Sequence, residues 1–322
     1  MGEQVEIRPF EPDDIAQVVA LLNRCLVADP ITSDTFQRKV LLDQNFDPRG
    51  TLVAVTNGGR VEARGIVGFA LGLVRKFKLE DGPPDFDRSW ITLMAVDEPF
   101  RRQKIGTRLV EALETYFHLN DCKSTYVSSY SPNYFVPGVD VNAYPEALAF
   151  FRSLGFEEVV RPLSMDANLV HLATPAWVRE KESALLEAGV VFEPFRPELV
   201  LPVLDFAKTE FPGDWQRFAR DTMTRITTGE YRPDNLWVAR EGGQVIGYAQ
   251  HGSDCRFGPF GVAASQRGRG IGAVLLFRVL HTMRAKGLHN AWFLWTDDKV
   301  AKLYSQAGFV ESRRFALMRK EL

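Results

Sequence analysis

Apolar residues recur along the chain in two rhythms. Ile7-Arg8-Pro9-Phe10 alternates with a period of two, and after Asp13 and Asp14 the apolar positions Val18, Val19, Leu21 and Leu22 fall three to four apart. A short strand running into an amphipathic helix is predicted. Thr51-Leu52-Val53-Ala54-Val55 and Ile66-Val67-Gly68-Phe69-Ala70, with Gly58-Gly59 between them, read as a hairpin. Ile91-Thr92-Leu93-Met94-Ala95-Val96 then leads through Arg101-Arg102-Gln103-Lys104-Ile105-Gly106 to the helical spacing of Leu109, Val110 and Leu113. A further helical run, Ala147 to Leu154, closes on Gly155-Phe156.

The same succession then returns. Phe192-Glu193-Pro194-Phe195 precedes Leu199, Leu201, Val203, Leu204 and Phe206. Leu236 to Ala239 and Val245 to Ala249 flank Gly242-Gly243. Phe260-Gly261-Val262 runs into Arg267-Gly268-Arg269-Gly270-Ile271-Gly272 and then Leu275, Leu276, Val279 and Leu280. Ala301 to Ala307 ends on Gly308-Phe309. Matched elements in one order identify an internal duplication. Between the copies, Thr174-Pro175 signals a helix start, Trp177, Val178, Leu185 and Leu186 supply an apolar stripe, and Gly189 signals a stop. The expected organisation is a first domain over 1–173, a linker helix over 174–189 that packs through its apolar stripe, and a second domain over 190–322. Each domain is expected to be α/β.

The length of 322 residues suits two domains, and 45% hydrophobic with 25% charged residues is ordinary for a globular chain. The net charge of −2 is spread evenly, without a polybasic arm, so a nucleic-acid partner is not expected. No apolar run approaches the roughly 20 residues of a membrane span, and the acidic Glu3 and Glu6 at the N-terminus do not fit a secretory leader. Glu6 also stands where a myristoylation motif wants Ser or Thr. Cys25, Cys122 and Cys255 are too far apart for a disulfide framework. His118, His171, His251, His281 and His289 lack metal-site spacing. A cytoplasmic protein without a metal, monomeric or homodimeric, is the expectation.

The run from Val262 to Gly272 carries the chemistry. A glycine-rich turn between a strand and a helix leaves backbone amides aimed at one point at the positive end of the helix dipole. Gly268, Gly270 and Gly272 allow close approach of a ligand, and Arg267 and Arg269 add charge. Neither the dinucleotide fingerprint nor the P-loop ending is matched. The Arg-x-x-Gly-x-Gly pattern at Arg267, Gly270 and Gly272, with the following helix and Gly308-Phe309, resembles the acetyl-CoA loop of the GCN5-related N-acetyltransferases (GNAT). The resemblance covers both halves. It implies two GNAT-type domains, each a mixed sheet splayed between its fourth and fifth strands and flanked by helices. It also implies an acetyl-CoA-dependent N-acetyltransferase acting on a small-molecule primary amine by direct attack, an amino sugar being one candidate. A CoA-binding sensor and a protein N-acetyltransferase are the alternatives.

By the same resemblance, Phe260, Gly261, Val262, Arg267, Gly268, Arg269, Gly270, Ile271, Gly272 and Asp298 are expected to bind the cofactor. Val96, Arg101, Arg102, Gln103, Lys104 and Gly106 are their weaker equivalents. Lys104 replaces Gly270, and its Cβ is expected to crowd the turn. Tyr304 stands where relatives place the acid that protonates the thiolate, and Phe151, its equivalent, has no proton to give. Chemistry is therefore assigned to the second domain. The strand before Val262 offers no carboxylate, leaving Asp254, Asp297 and His251 as candidates to take the ammonium proton. Asp214 beside Trp215 is a candidate acceptor contact, as carboxylate and indole suit an amine or sugar. The aromatic insertion from Asn133 to Asp140 is expected to cover the first cleft or to seal the junction between the halves.

Overall fold

The structure is a computed structural model that describes residues 5–56, 65–78, 85–211 and 213–322. The turn expected at Gly58-Gly59, and Pro212 beside the candidate Asp214, lie outside the described residues. Two compact units are present. The first comprises the described parts of Met1–Lys78 and Pro84–Pro162 together with Phe315–Leu322. The second comprises Leu163–Arg314.

In the first unit the order is β1 (Val5–Pro9), α1 (Ile15–Cys25), α2 (Ser33–Phe36), β2 (Thr51–Thr56), β3 (Ile66–Val74), β4 (Arg88–Val96), α3 (Ile105–His118), β5 (Ser124–Val127), β6 (Val139–Asp140), α4 (Pro145–Ser153) and β7 (Glu157–Val160). Strands β1 to β4 pair antiparallel in sequence order, and β5 pairs β4 in parallel. Every residue of β2 and β3 is buried. Their unbroken apolar runs follow from helices on both faces. Val18, Leu21 and Leu22 of α1 pack with Val53 and Phe69 on one face, and Leu109, Leu113 and Phe117 of α3 pack with Ala54 and Ala70 on the other.

The second unit repeats this plan: β8 (Leu163–Asn168), α5 (Ala176–Glu187), β9 (Val191–Pro194), α6 (Val200–Glu210), α7 (Trp215–Thr227), β10 (Leu236–Glu241), β11 (Gln244–His251), β12 (Phe257–Val262), α8 (Ile271–Ala285), β13 (Asn290–Thr296), α9 (Asp298–Ser305) and β14 (Val310–Glu321). β9 to β12 form an antiparallel sheet of order β12-β11-β10-β9. Gly242 and Gly243, at φ +56° and +85°, make the tight β10–β11 turn. Helix α8 is buried on most of its circumference, between the sheet and α5. Leu276, Phe277 and Leu280 are nearly fully buried, worth about 2 kcal/mol each. The linker helix packs through Val178 and Leu185, whereas Trp177 and Leu186, also expected to pack, are exposed. It ends at Gly189, φ +84°, as its sequence implies.

Strand β14 serves both units. Val310 to Arg314 pair with β8, which pairs with β13 on its other side. Residues 315–321 pair with β5, β6 and β7 of the first unit. Residues 163–173 thus group with the second unit and 315–322 with the first, a crossing that cuts made along the sequence do not convey. The insertion holding Asn133 to Asp140 packs within the first unit. Tyr134 O accepts from Lys39 Nζ at 2.9 Å, Lys39 lies over the Phe135 ring, and Val139–Asp140 pairs with β14 at Phe315 and Ala316.

Candidate functional site

The turn between β12 and α8 is built by left-handed torsions. Gly268 and Gly270 have φ +84° and +97°, and Gly270 is the N-cap of α8. Arg267 Nε donates to the Val262 carbonyl at 3.3 Å, tying the turn to the strand end. The amides of Gly268, Arg269 and Gly270 meet no acceptor among the described residues. They converge with the dipole of a 15-residue helix, an arrangement suited to a phosphate. A Cβ on Gly268 would enter open space, whereas one on Gly270 would lie 3.1 Å from Lys181 carbons. One on Gly272 would lie 3.3 Å from the Phe260 ring, so Gly272 sets how closely α8 approaches β12. Ile271 is buried beneath the turn. These features fit the diphosphate of a nucleotide thioester. Arg269 departs from expectation: Glu241 holds it through two 2.8 Å bonds, so its charge is neutralised within the protein.

The first unit's turn follows the same path. Arg102 and Lys104 adopt φ +61° and +62°, Lys104 is the N-cap of α3, and Arg101 Nε donates to the Val96 carbonyl at 3.0 Å. Lys104 occupies the left-handed region at this cap, at a local cost of about 1 kcal/mol. Gln103 Nε2 donates to Pro99 O, and a Cβ on Gly106 would lie 3.2 Å from the Phe150 ring. The duplication therefore extends to the hydrogen bond that closes each loop.

The sheet opens beside each turn. In the second unit β12 and β13 share one parallel bridge, Arg256 with Trp292, after which they diverge. In the first unit β4 and β5 pair over Arg88–Ile91 before parting. The open edge explains why Gly258, Pro259, Phe260 and Val262, on a strand within the sheet, keep some exposure. One face of this cleft is aromatic: Tyr304 packs 4.4 Å from Phe293, 5.6 Å from Phe309 and 5.9 Å from both Phe257 and Phe260, ring centre to ring centre. Burial first, and then the charge of Asp297, hold the Tyr304 phenol well above its ordinary value. Phe151 occupies the same place in the first unit, against Phe150 and Phe156.

The remaining candidates are placed as follows. Asp297 caps α9, accepting from Val300 N at 2.8 Å. Asp298 lies exposed and is gripped by Arg314, whose hydrogen bonds hold its carboxyl below the usual carboxylate range. Asp254 Oδ1 accepts from Arg256 N at 3.1 Å in the turn before β12. His251 is 2% exposed, bonded to Gly252 O and 3.3 Å from Lys286 Nζ. Burial pushes it down to about 4. Asp214 is paired with Arg217, and Trp215 stacks on Phe211 at 4.1 Å.

Two features were not read from the sequence. Phe211 lies so close to β12 that a Cβ on Gly261 would be 2.3 Å from its ring. Arg256 sits over the rings of Phe218, at 5.0 Å, and Trp292, at 6.0 Å. Its partners lie 38 and 36 residues away in sequence, so no spacing rule marks it.

Comparison with known proteins agrees with this geometry. The acetyltransferase (GNAT) family model matches residues 15–156, and the acetyltransferase (GNAT) domain model matches 232–311. Among curated proteins, none matches the chain in sequence. Among solved structures, the GCN5-related glucosamine N-acetyltransferase region of a fungal multi-domain GH3 β-N-acetylglucosaminidase superposes with a TM-score of 0.78 at 20% identity. That match covers 99% of this chain, which spans only 38% of that protein's chain. A GCN5-related N-acetyltransferase from Sphaerobacter thermophilus superposes at 0.70 with 18% identity, over 98% of this chain and 95% of its own. A tandem GNAT protein from the clavulanic acid biosynthesis pathway gives 0.59 at 15% identity, over 99% and 98%. With one such domain matched in each half, the chain belongs to the GNAT acetyltransferases as a tandem member.

Proposed function

We propose that the protein transfers an acetyl group from acetyl-CoA to the primary amine of a small molecule, with the chemistry in the second unit. The observation that carries this reading is the Arg267–Gly272 turn, whose unengaged amides lie at the N-terminus of α8 beside the opening between β12 and β13. Bound acetyl-CoA supplies a thioester carbonyl that the amine lone pair attacks, forming the N–C bond as the C–S bond breaks. The turn and Arg267 hold the diphosphate, and the cleft edge at Phe260, Gly261 and Val262 orients the pantetheine arm. A β12 amide polarises the carbonyl by hydrogen bonding. The Tyr304 phenol, kept protonated by its apolar surroundings, passes its proton along a hydrogen bond to the departing thiolate and is reprotonated from water. The ammonium proton leaves through water, with Asp254 as its acceptor. Asp297 serves chiefly as the cap of α9, and Asp298 contacts the arm through its backbone. Trp215 and Phe211 wall the acceptor side, with Asp214 fixed by Arg217.

The first unit keeps the turn but has Phe151 in place of Tyr304. It is assigned a non-catalytic, weakly CoA-binding role. The fungal neighbour whose region acetylates glucosamine supports an amino sugar as one acceptor to test. Thiol release from acetyl-CoA against an amine panel, with calorimetry using CoA, tests the whole reading. Expected are turnover with at least one amine and a loss of tenfold or more in Arg267→Glu but not in Arg101→Glu. Absence of binding heat with either CoA or acetyl-CoA would refute it.

A further inference from the structure

Among the described residues, no carboxylate balances the guanidinium of Arg256. Elsewhere in the second unit Arg217, Arg225, Arg240, Arg269, Arg278 and Arg314 each meet an acid. Among the described residues none lies within ion-pair distance of Arg256, which is half-buried and held over Phe218 and Trp292. Aromatic faces orient a guanidinium without neutralising it, and they leave its donor fork available for an oxyanion.

The position gives this fork a purpose. Arg256, immediately before β12, forms an isolated parallel bridge to Trp292 of β13, and the cleft opens beyond it. Its neighbour Phe257 points into the Tyr304 cluster on the α8–α9 face. Successive strand residues point to opposite faces, and the contact with Phe218 puts Arg256 on the α7 face. An acceptor that approaches the thioester from the side opposite α8 meets Arg256. Gln250 reaches the same α7 residue, its Nε2 donating to Phe218 O at 3.3 Å, while its Oε1 is buried without a partner. The donor fork of Arg256 thus lies beside Phe218, complementary to a ligand bearing an oxyanion.

We propose that Arg256 is the acceptor-recognition residue and that the substrates are acidic amines, bearing a phosphate or carboxylate gripped by its guanidinium. This rests on the acetyltransferase reading above. The test uses the full chain, thiol release from acetyl-CoA, and two matched pairs: glucosamine with glucosamine 6-phosphate, and putrescine with 4-aminobutyrate. In one pair the acidic member should show at least tenfold higher kcat/KM, and the responding pair tells phosphate from carboxylate. Arg256→Gln should raise KM for that member about 100-fold and leave its kcat and the neutral amine within twofold; Arg256→Lys should recover part of the preference. No acidic preference in either pair overturns the proposal, as does an equal loss on both members. Calorimetry with CoA on the same samples separates the two readings. Heat of CoA binding without an acidic preference rejects Arg256 alone, whereas no heat rejects the acetyltransferase reading and this proposal together.

Discussion

Lys104 and Gly270 both lie in the left-handed region, at φ +62° and +97°, with different side chains, so the two turns give an internal measure of what glycine contributes. Alanine at Gly270 adds torsional strain of about 1–2 kcal/mol and brings a methyl to 3.1 Å from Lys181. Gly270→Ala should weaken CoA binding about tenfold by calorimetry. Lys104→Gly should raise stability to denaturant by about 0.5–1 kcal/mol, because it relieves the same strain; an unchanged midpoint would show that the lysine sits there without cost. The glycine pattern made the cradle readable from sequence, but the neutralisation of Arg269 by Glu241, 28 residues away, was not. His251 illustrates the same limit. Its burial beside Lys286 holds it neutral down to about pH 4. An unfolded histidine protonates near 6.5, so the unfolded state binds the extra proton between these values. Stability is therefore full above about pH 6.5 and falls as pH drops toward 4, by a total on the order of 3 kcal/mol. Urea midpoints at pH 7 and pH 5 should differ in the native protein and converge in His251→Gln.

At the scale of the element, α9 shows which relations a sequence carries and which it hides. Tyr304 was found by its spacing from Gly308, a local relation that the helix preserves. Asp297, a candidate proton acceptor in sequence, is the N-cap that starts the same helix, a role its spacing did not announce. Removing it should cost about 1 kcal/mol of stability without the pH signature of a lost base. Tyr304→Phe separates chemistry from packing, because Phe151 shows that the duplicate accepts the bare ring in this environment. That variant should unfold at the native denaturant midpoint and lose about 10- to 100-fold in kcat. The phenol's raised value keeps it protonated through neutral pH, so the loss should be constant across that range. A full-rate Tyr304→Phe enzyme would remove the phenol from the mechanism. β12 adds a steric constraint with no signal in local periodicity: Gly261 is needed because a ring from the end of α6 rests against it.

At the scale of the molecule, the matched strands and helices of each half could be read in order, since each half repeats the other and period-two and helical spacings are local properties. Helix α7 and strands β7, β8 and β14 were not among them. The exchange of strands could not be read, because pairing partners are chosen by contacts more than a hundred residues apart: Met318 pairs with Val127 and Leu317 with Val160. Nothing in the run Phe315-Ala316-Leu317-Met318 says which unit will bury it. Yet Ala316 and Met318 are fully buried in the core that Leu109, Leu113 and Phe117 build. A fragment ending at residue 173 therefore lacks part of the first unit's core and leaves the β5 edge unpaired. Such a fragment should show no cooperative unfolding transition. The same fragment cut at Pro162 and joined by a flexible Gly/Ser linker to residues 315–322 should regain one, with amide protection returning at Ser124–Val127. If the 1–173 fragment unfolds cooperatively and protects those amides unaided, β14 is dispensable to the first unit. The pairing with β8 is made by Val310 to Arg314 of the same strand, so only a deletion reaching back to residue 310 removes a strand from the second unit as well. Deleting 310–322 from the full chain should then lower the turnover of acetyl-CoA even though Arg267, Gly270 and Tyr304 all remain, because β8 loses its partner at Asp166, Met165, Ser164 and Leu163.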